Sequence, residues 1–311
     1  MNHANFYSVF DRELDNIPKG TIFVADQQIK GKGWHTRDIC IFSVIFFNKN
    51  SLAIAIWICM LNRHLLISAN STSGRGQNEW TSPEGCLMFS LKTQMETSMT
   101  QTGVEKRAIL SAPIGQLLPF VQYIVTLSVI DAVKEATDGF LQLKIKWPND
   151  IYSNDGKLKI GGVLSWSTMK EKVFIIVIGC GINLDNKQPT TCVNELIQQH
   201  NENIEATNGK VKLKELRKET FLALIATYFE KYMDVLLTRG FEPLKANYIN
   251  SWLHSGQEVM IKDGDASTSV TICGLTKSGY LLAEDKDSNR FELHPDGNSL
   301  DFFSGLISRK I

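Results

Sequence analysis

No two cysteines in this chain are spaced as Cys-x-x-Cys, and no histidines have the spacing of metal ligands. The six cysteines (Cys40, Cys59, Cys86, Cys180, Cys192, Cys273) and six histidines (His3, His35, His64, His200, His254, His294) are scattered along 311 residues. That excludes a disulfide framework or a zinc site as the organising feature, and it reads as the cysteine usage of a reducing, intracellular compartment. An excess of charge of either sign is also missing, because Lys+Arg and Asp+Glu both number 33. The chain therefore has no overall field to gather nucleic acid or an anionic membrane. The apolar runs 39–47 and 52–61 each fall short of the roughly 20 residues that span a bilayer. Residues 1–20 carry Asp11, Arg12, Glu13 and Asp15 where a secretory leader needs an apolar stretch. There is no Ser/His/Asp arrangement of a hydrolase, no internal repeat and no low-complexity tract.

What is present is a chain with 43% hydrophobic residues, long enough for one large domain and a small one. The runs at 21–25 and 87–91 read as buried strands. Residues 118–133 place apolar side chains at helical spacing behind Pro119, a helix start. Residues 141–147 alternate apolar and polar, the period of a half-buried strand, and 159–166 and 173–178 give two more. Residues 212–239 predict a long amphipathic helix stopping at Gly240, and the polar stretch 200–210 reads as a surface loop. Beyond about residue 254 glycines punctuate runs of three to six residues, the texture of a small barrel.

Two glycine-rich pieces lie far apart. Gly31-Lys32-Gly33 follows Gln28, and Arg75-Gly76 leads to Trp80. Glycines let backbone N–H groups approach a phosphate, and Lys32 and Arg75 add charge beside them. An ordinary turn explains either piece equally well. Between them, residues 34–74 hold two apolar runs, 39–47 and 52–61, parted by Asn48-Lys49-Asn50.

Further on, Lys146-Trp147-Pro148-Asn149-Asp150 ends a strand, since Pro148 cannot donate to a ladder. Lys146 shares its face with Gln142 and Lys144. This is either a solvated strand face or the strand-end position where α/β sheets hold functional side chains. Asn149 and Asp150 also suit the closing of a turn. Gly161-Gly162 and Gly179-Cys180-Gly181-Ile182-Asn183 admit a close approach by ligand or backbone, or a bulge.

Taken in order, these motifs resemble the eukaryotic biotin protein ligases, or holocarboxylase synthetases. The resembling pieces are Gly31-Lys32-Gly33 with Arg75-Gly76-Gln77-Asn78-Glu79-Trp80, Lys146-Trp147-Pro148-Asn149-Asp150, Lys159-Ile160-Gly161-Gly162, Gly179-Cys180-Gly181-Ile182-Asn183, and His254-Ser255-Gly256-Gln257 with His294-Pro295-Asp296-Gly297. The resemblance covers about residues 8–33 and 75–305. It implies an α/β (α+β) fold, a mixed-sheet catalytic domain over 1–253 followed by a small SH3-like β-barrel over 254–311. It implies an AMP-forming ligase that uses ATP, biotin and Mg²⁺, makes biotinyl-AMP, and transfers biotin to a lysine of apo-carboxylase acceptor domains. Lys146 would be the catalytic cation, and Arg75 part of the loop closing over the adenylate. Gln28, Gly161, Gly162, Gly179 and Gly181 would line the biotin pocket. Gly31, Lys32, Gly33, Arg75, Gly76, Trp80 and Asn183 would lie at the nucleotide. The implied location is cytoplasmic, with a mitochondrial pool allowed, and neither nucleic acid nor membrane is expected as a partner.

The chain departs from the family at two places. The family's N-terminal strand with a Ser/Thr-rich turn at biotin is not reproduced by Asn5-Phe6-Tyr7-Ser8-Val9-Phe10. Residues 34–74 also interrupt the adenylate loop. Gly33 precedes that segment and Gly74 ends it, so either glycine completes the motif. An in-frame retained intron splitting a glycine codon would leave this pattern. The alternatives to an active ligase are a catalytically impaired or mis-spliced form that still binds acceptors, and a lipoate-type ligase.

Overall fold

The computed structural model describes residues 22–25, 42–43, 57–58, 83–96, 113–188, 190–207, 211–263, 266–294, 298–301 and 306–309. The first strands are β1 (Ile22–Ala25), β2 (Phe42–Ser43), β3 (Trp57–Ile58), β4 (Leu87–Glu96), β5 (Leu143–Lys146), β6 (Asp150–Ser153), β7 (Lys159–Lys170) and β8 (Val173–Ile182). The α-helices are α1 (Leu118–Ala136), α2 (Val193–Ala206), α3 (Lys218–Arg239) and α4 (Glu242–Ser251). Six strands follow: β9 (Glu258–Asp263), β10 (Ala266–Leu275), β11 (Leu281–Glu284), β12 (Arg290–Leu293), β13 (Asn298–Asp301) and β14 (Leu306–Arg309). Two compact units divide the chain, one of Met1–Gly103 with Leu158–Leu224, the other of Val104–Lys157 with Ile225–Ile311. The division falls inside α3. The expected boundary at 253/254 lies within the second unit, where helices give way to strands.

In the first unit β4 pairs with β1 on one side and β8 on the other, and β8 pairs with β7, all antiparallel. Alternation along β4 and β8 buries Leu87, Phe89, Leu91 and Met95 with Ile176, Ile178, Cys180 and Ile182. Within residues 34–74, Phe42 pairs with Ile58 and Ser43 with Trp57 as a short antiparallel ladder.

Two sequence expectations give way here. The stretch taken for a loop from residue 200 belongs in its first part to α2, and the helix expected from 212 starts only at Lys218. One arrangement causes both. The Asn201 amide accepts from Leu213 N–H at 2.7 Å and donates to Leu213 C=O at 2.9 Å. Asn194 does the same for Leu216, at 2.8 and 3.1 Å. Asn201, in the stretch that reads as a loop, and Asn194 thus hold the next segment in a non-helical path while Leu213 and Leu216 are buried. Their side chains satisfy backbone groups that a helix would otherwise satisfy internally.

In the second unit α1 is apolar on nearly every side because it is buried on nearly every side. Its length and composition would suit a membrane span, yet most of it is enclosed by protein. Thr126 resolves its burial by donating to Tyr123 C=O at 2.8 Å. Pro119 sits in the first turn, and Gly240, at φ 74°, stops α3 where the sequence places the stop. Strands β5 and β6 form a hairpin pairing Lys146 with Asp150. The C-terminal strands make one six-stranded sheet in the order β12-β11-β10-β9-β14-β13, antiparallel except for the parallel pair β9 and β14. The mixed α/β class expected from the sequence is the one observed.

Candidate functional site

In the first unit three glycines share one face of the sheet. Residues paired across antiparallel strands point to the same face. Met88, Gly181 and Gly162 form one such row, and Ser90, Gly179 and Leu164 the next. Gly162, Gly179 and Gly181 therefore put no side chain on this face, and the trough this leaves is open at Gly179, while Gly162 is buried. A Cβ on Gly179 would meet nothing within 4 Å. Gly161 faces the other way, and a Cβ there would lie 2.5 Å from the Gly181 carbonyl oxygen. Its smallness lets β7 and β8 approach; it does not add to the trough.

Asn183 follows β8, at the end of this trough. Its amide nitrogen donates to Thr190 Oγ1 at 3.1 Å and to Thr191 C=O at 3.3 Å, and its oxygen accepts from the Cys86 thiol at 3.4 Å. This side chain braces the loop after β8. Burial pushes the Cys86 thiol up to about 11, so it stays a neutral donor. Among the described residues Cys86, Cys180, Cys192 and Cys273 are all unpaired thiols.

The second unit holds Lys146 at the end of β5. Its ammonium lies 5.7 Å from the centre of the Tyr152 ring, a cation–π distance. Lys144 is on the same face but reaches the Asn250 carbonyl at 3.4 Å. The strand's neighbour is unexpected. Ile145 forms a parallel bridge with Trp252, and Leu253 N–H donates to Ile145 C=O at 3.0 Å. Next along, Trp147 N–H donates to Nε2 of His254 at 2.9 Å. The His254 Nδ1 lies 2.9 Å from Gln257 Oε1, which fixes the tautomer with the proton on Nδ1. His254 is only 1% exposed. Burial, and to a lesser degree the Lys146 charge, bring its pKa down to about 4, so the ring is neutral at pH 7.

Trp147 is held at its other end too. Its indole N–H donates to Tyr123 Oη at 2.7 Å and reaches the Gly279 carbonyl at 3.3 Å. Tyr123 Oη in turn donates to Gly279 C=O at 2.6 Å. Gly279, at φ 87°, lets the β10–β11 turn touch α1, where a Cβ would lie 3.0 Å from the Phe120 ring. Tyr248 stacks on Tyr123 at 4.8 Å and donates to Pro148 C=O at 3.0 Å.

Of the expected site residues, Lys146, Gly161, Gly162, Gly179, Gly181 and Asn183 are described. Gln28, Gly31, Lys32, Gly33, Arg75, Gly76 and Trp80 lie outside the described residues. Tyr123, Gly279 and the part played by His254 are not legible as site features in the sequence. Only the motif around His254 carried a signal, and it named no partner. Among the described residues no three His, Cys, Asp or Glu side chains converge as metal ligands, so these residues do not form a cage for Mg²⁺.

The family model described as Biotin/lipoate A/B protein ligase family matches residues 62–183, and that described as Biotin protein ligase C terminal domain matches 254–305. The first match opens inside the 34–74 segment. Biotin--protein ligase 2 of Arabidopsis thaliana is 40% identical over 99% of this chain and 75% of its own length. Biotin--protein ligase 1, chloroplastic, of the same plant is 41% identical over 76% of this chain, which spans 59% of that protein. Among solved structures, a point mutant of the Aquifex aeolicus biotin protein ligase in complex with biotin superposes with TM-score 0.53 and 20% identity, over 91% of this chain and 89% of that one, a likeness of fold. With the lysine motif inside the first match and its histidine partner opening the second, this chain belongs to the biotin protein ligase family.

Proposed function

We infer that this chain is an ATP-dependent ligase that joins biotin to a lysine of an acceptor protein. In the first step a biotin carboxylate oxygen attacks the α-phosphorus of ATP, and the bond to pyrophosphate breaks. In the second, the acceptor lysine's amine attacks the acyl carbon of biotinyl-AMP, AMP leaves, and the amine loses a proton. Both partners in the first step are anionic, so fixed positive charge is the main requirement. Lys146 supplies it at the carboxylate and α-phosphate, and Arg75 belongs to the loop that shields the adenylate from water. The face without side chains at Gly162, Gly179 and Gly181, open at Gly179, suits the flat, apolar rings of biotin, with Gln28 beside it. Gly161 lets the strands beneath close up. Gly31, Lys32, Gly33, Gly76 and Trp80 flank the nucleotide, and Asn183 supports it by holding the loop after β8. Mg²⁺ comes with the ATP phosphates.

The acceptors are the biotin-accepting domains of carboxylases, met in the cytoplasm. The observation that carries the reading is the 40% identity to a biotin--protein ligase along 99% of the chain. The match to a biotin protein ligase C-terminal domain favours biotin over lipoate as the acid. The test is pyrophosphate release from the full chain with ATP. Release that requires biotin supports the reading. Release that requires lipoate instead, or none at all, removes it.

A further inference from the structure

We propose that His254 is a positioning residue for Lys146, acting through the hydrogen bond its imidazole accepts from the Trp147 backbone. The proposal rests on the reading of Lys146 as the catalytic cation. The geometry is local to one unit of the fold. Segment 252–254 runs beside β5 as a parallel bridge, with Leu253 N–H on Ile145 C=O at 3.0 Å. In a continuing parallel ladder, the next bond would go from Trp147 N–H to the Leu253 carbonyl. An imidazole nitrogen takes that donor instead, at 2.9 Å.

The consequence falls on Lys146. The nitrogen of Trp147 is the fourth atom of the ψ dihedral of Lys146. Whatever holds that N–H therefore fixes the peptide plane from which the lysine side chain projects. The strand ladder cannot do this alone, since Pro148 follows immediately and has no N–H to offer. The other end of Trp147 is anchored by Tyr123 Oη at 2.7 Å and, more loosely, by Gly279 C=O at 3.3 Å. His254 and Gly279 both belong to the segment matched as the C-terminal domain, 254–305. That segment thus sets the attitude of a residue on β5 without supplying a reacting group.

The acceptor must be neutral for this to work, because a protonated imidazole has no lone pair to offer. Gln257 holds Nδ1, leaving Nε2 for Trp147. Lys146 bears on the ring from β5, and its charge disfavours protonation. Trp252 meets the ring edge-on, with centroids 5.5 Å apart.

The experiment compares His254→Gln with His254→Asn in the full chain. The glutamine amide oxygen reaches the position of Nε2, whereas the asparagine amide falls short by a methylene and leaves the N–H without its acceptor. Single-turnover formation of biotinyl-AMP is followed, because its rate constant reports positioning and its amplitude reports the folded fraction. A displacement of about 1 Å at a reacting group typically costs on the order of 100-fold. The Asn variant should fall by about that factor in rate constant, with the half-saturating biotin concentration little changed, and the Gln variant should stay within about tenfold of the native chain. Variants that differ only in amplitude, or that share one rate constant, overturn the proposal. If the Asn variant does not fold, a folded Gln variant slowed about 100-fold overturns it equally. A native chain that forms no adenylate overturns the functional reading itself, and this proposal with it.

Discussion

A Cβ on Gly161 would lie 2.5 Å from the Gly181 carbonyl oxygen, whereas one on Gly179 would meet nothing within 4 Å. Two glycines on neighbouring strands, both expected at the biotin pocket, therefore have opposite physical reasons to be glycine. Gly161→Ala should force the β7–β8 ladder apart and cost about 1–3 kcal/mol, the usual penalty of overpacking. Gly179→Ala should leave stability within about 0.5 kcal/mol of the native value and weaken biotin binding by filling the trough. Denaturant unfolding and a biotin titration of the two variants check this. Equal stability losses would remove the distinction between a glycine for packing and a glycine for ligand.

The two lysines of β5 separate in the same way. Lys144 already reaches the Asn250 carbonyl, while Lys146 stands at the strand end over Tyr152. Lys146→Ala should slow adenylate formation by about 100- to 1000-fold, corresponding to roughly 3–4 kcal/mol of barrier. Lys144→Ala should change it by less than about tenfold. Initial rates of biotin-dependent pyrophosphate release decide between them, and similar losses in both would remove Lys146 from its assigned role.

Acid should destabilise the second unit through His254. Its folded pKa, about 4, lies below the ordinary histidine value of 6.5. Between those values the unfolded chain binds a proton that the folded chain does not, so stability rises with pH across this window. The contribution is complete above about pH 6.5 and is lost as pH falls toward 4, for a total of roughly 3 kcal/mol. Urea unfolding at several pH values should show that slope, and His254→Gln should flatten it. An unchanged slope in the variant would assign the acid sensitivity to other groups.

Removing residues 34–74 should raise adenylate formation. The segment puts 41 residues between the two glycine-rich pieces proposed to flank the nucleotide. The added loop-closure entropy is small, about 0.6 kcal/mol per doubling of length. The larger expected effect is that Arg75 is joined directly to Gly33 and two apolar runs are removed. Single-turnover rates with and without the segment measure this, and equal rates would show that it is neutral. Sequencing cDNA across the junction bears on its origin: transcripts that all encode 34–74 would exclude a retained intron.

The elements legible in the sequence are those with a strong period or a hard stop. The β5 alternation, the apolar run of α1 behind Pro119 and the end of α3 at Gly240 were all readable. The trough glycines were legible as glycines, but register alone separates Gly161 from Gly162, Gly179 and Gly181. What sequence concealed is carried by long-range polar pairs. Asn201 reads as a loop residue, and nothing local marks Asn194, until their amides are seen to hold Leu213 and Leu216, 12 and 22 residues away. His254 and Trp147 are 107 positions apart, and Tyr123 and Gly279 156. No local period encodes such contacts, because the partners are brought together by tertiary packing.

Whether this chain attaches biotin to protein is read off by intact-mass spectrometry of an acceptor domain. The full chain is incubated with biotin, ATP, Mg²⁺ and a biotin-accepting carboxylase domain, with the Lys146→Ala chain in parallel. The acceptor should gain one biotinyl group, on a lysine, only when ATP and biotin are both present, and far more slowly with the alanine variant. An acceptor that keeps its original mass here, while an active ligase labels the same preparation, would show that this chain does not biotinylate protein.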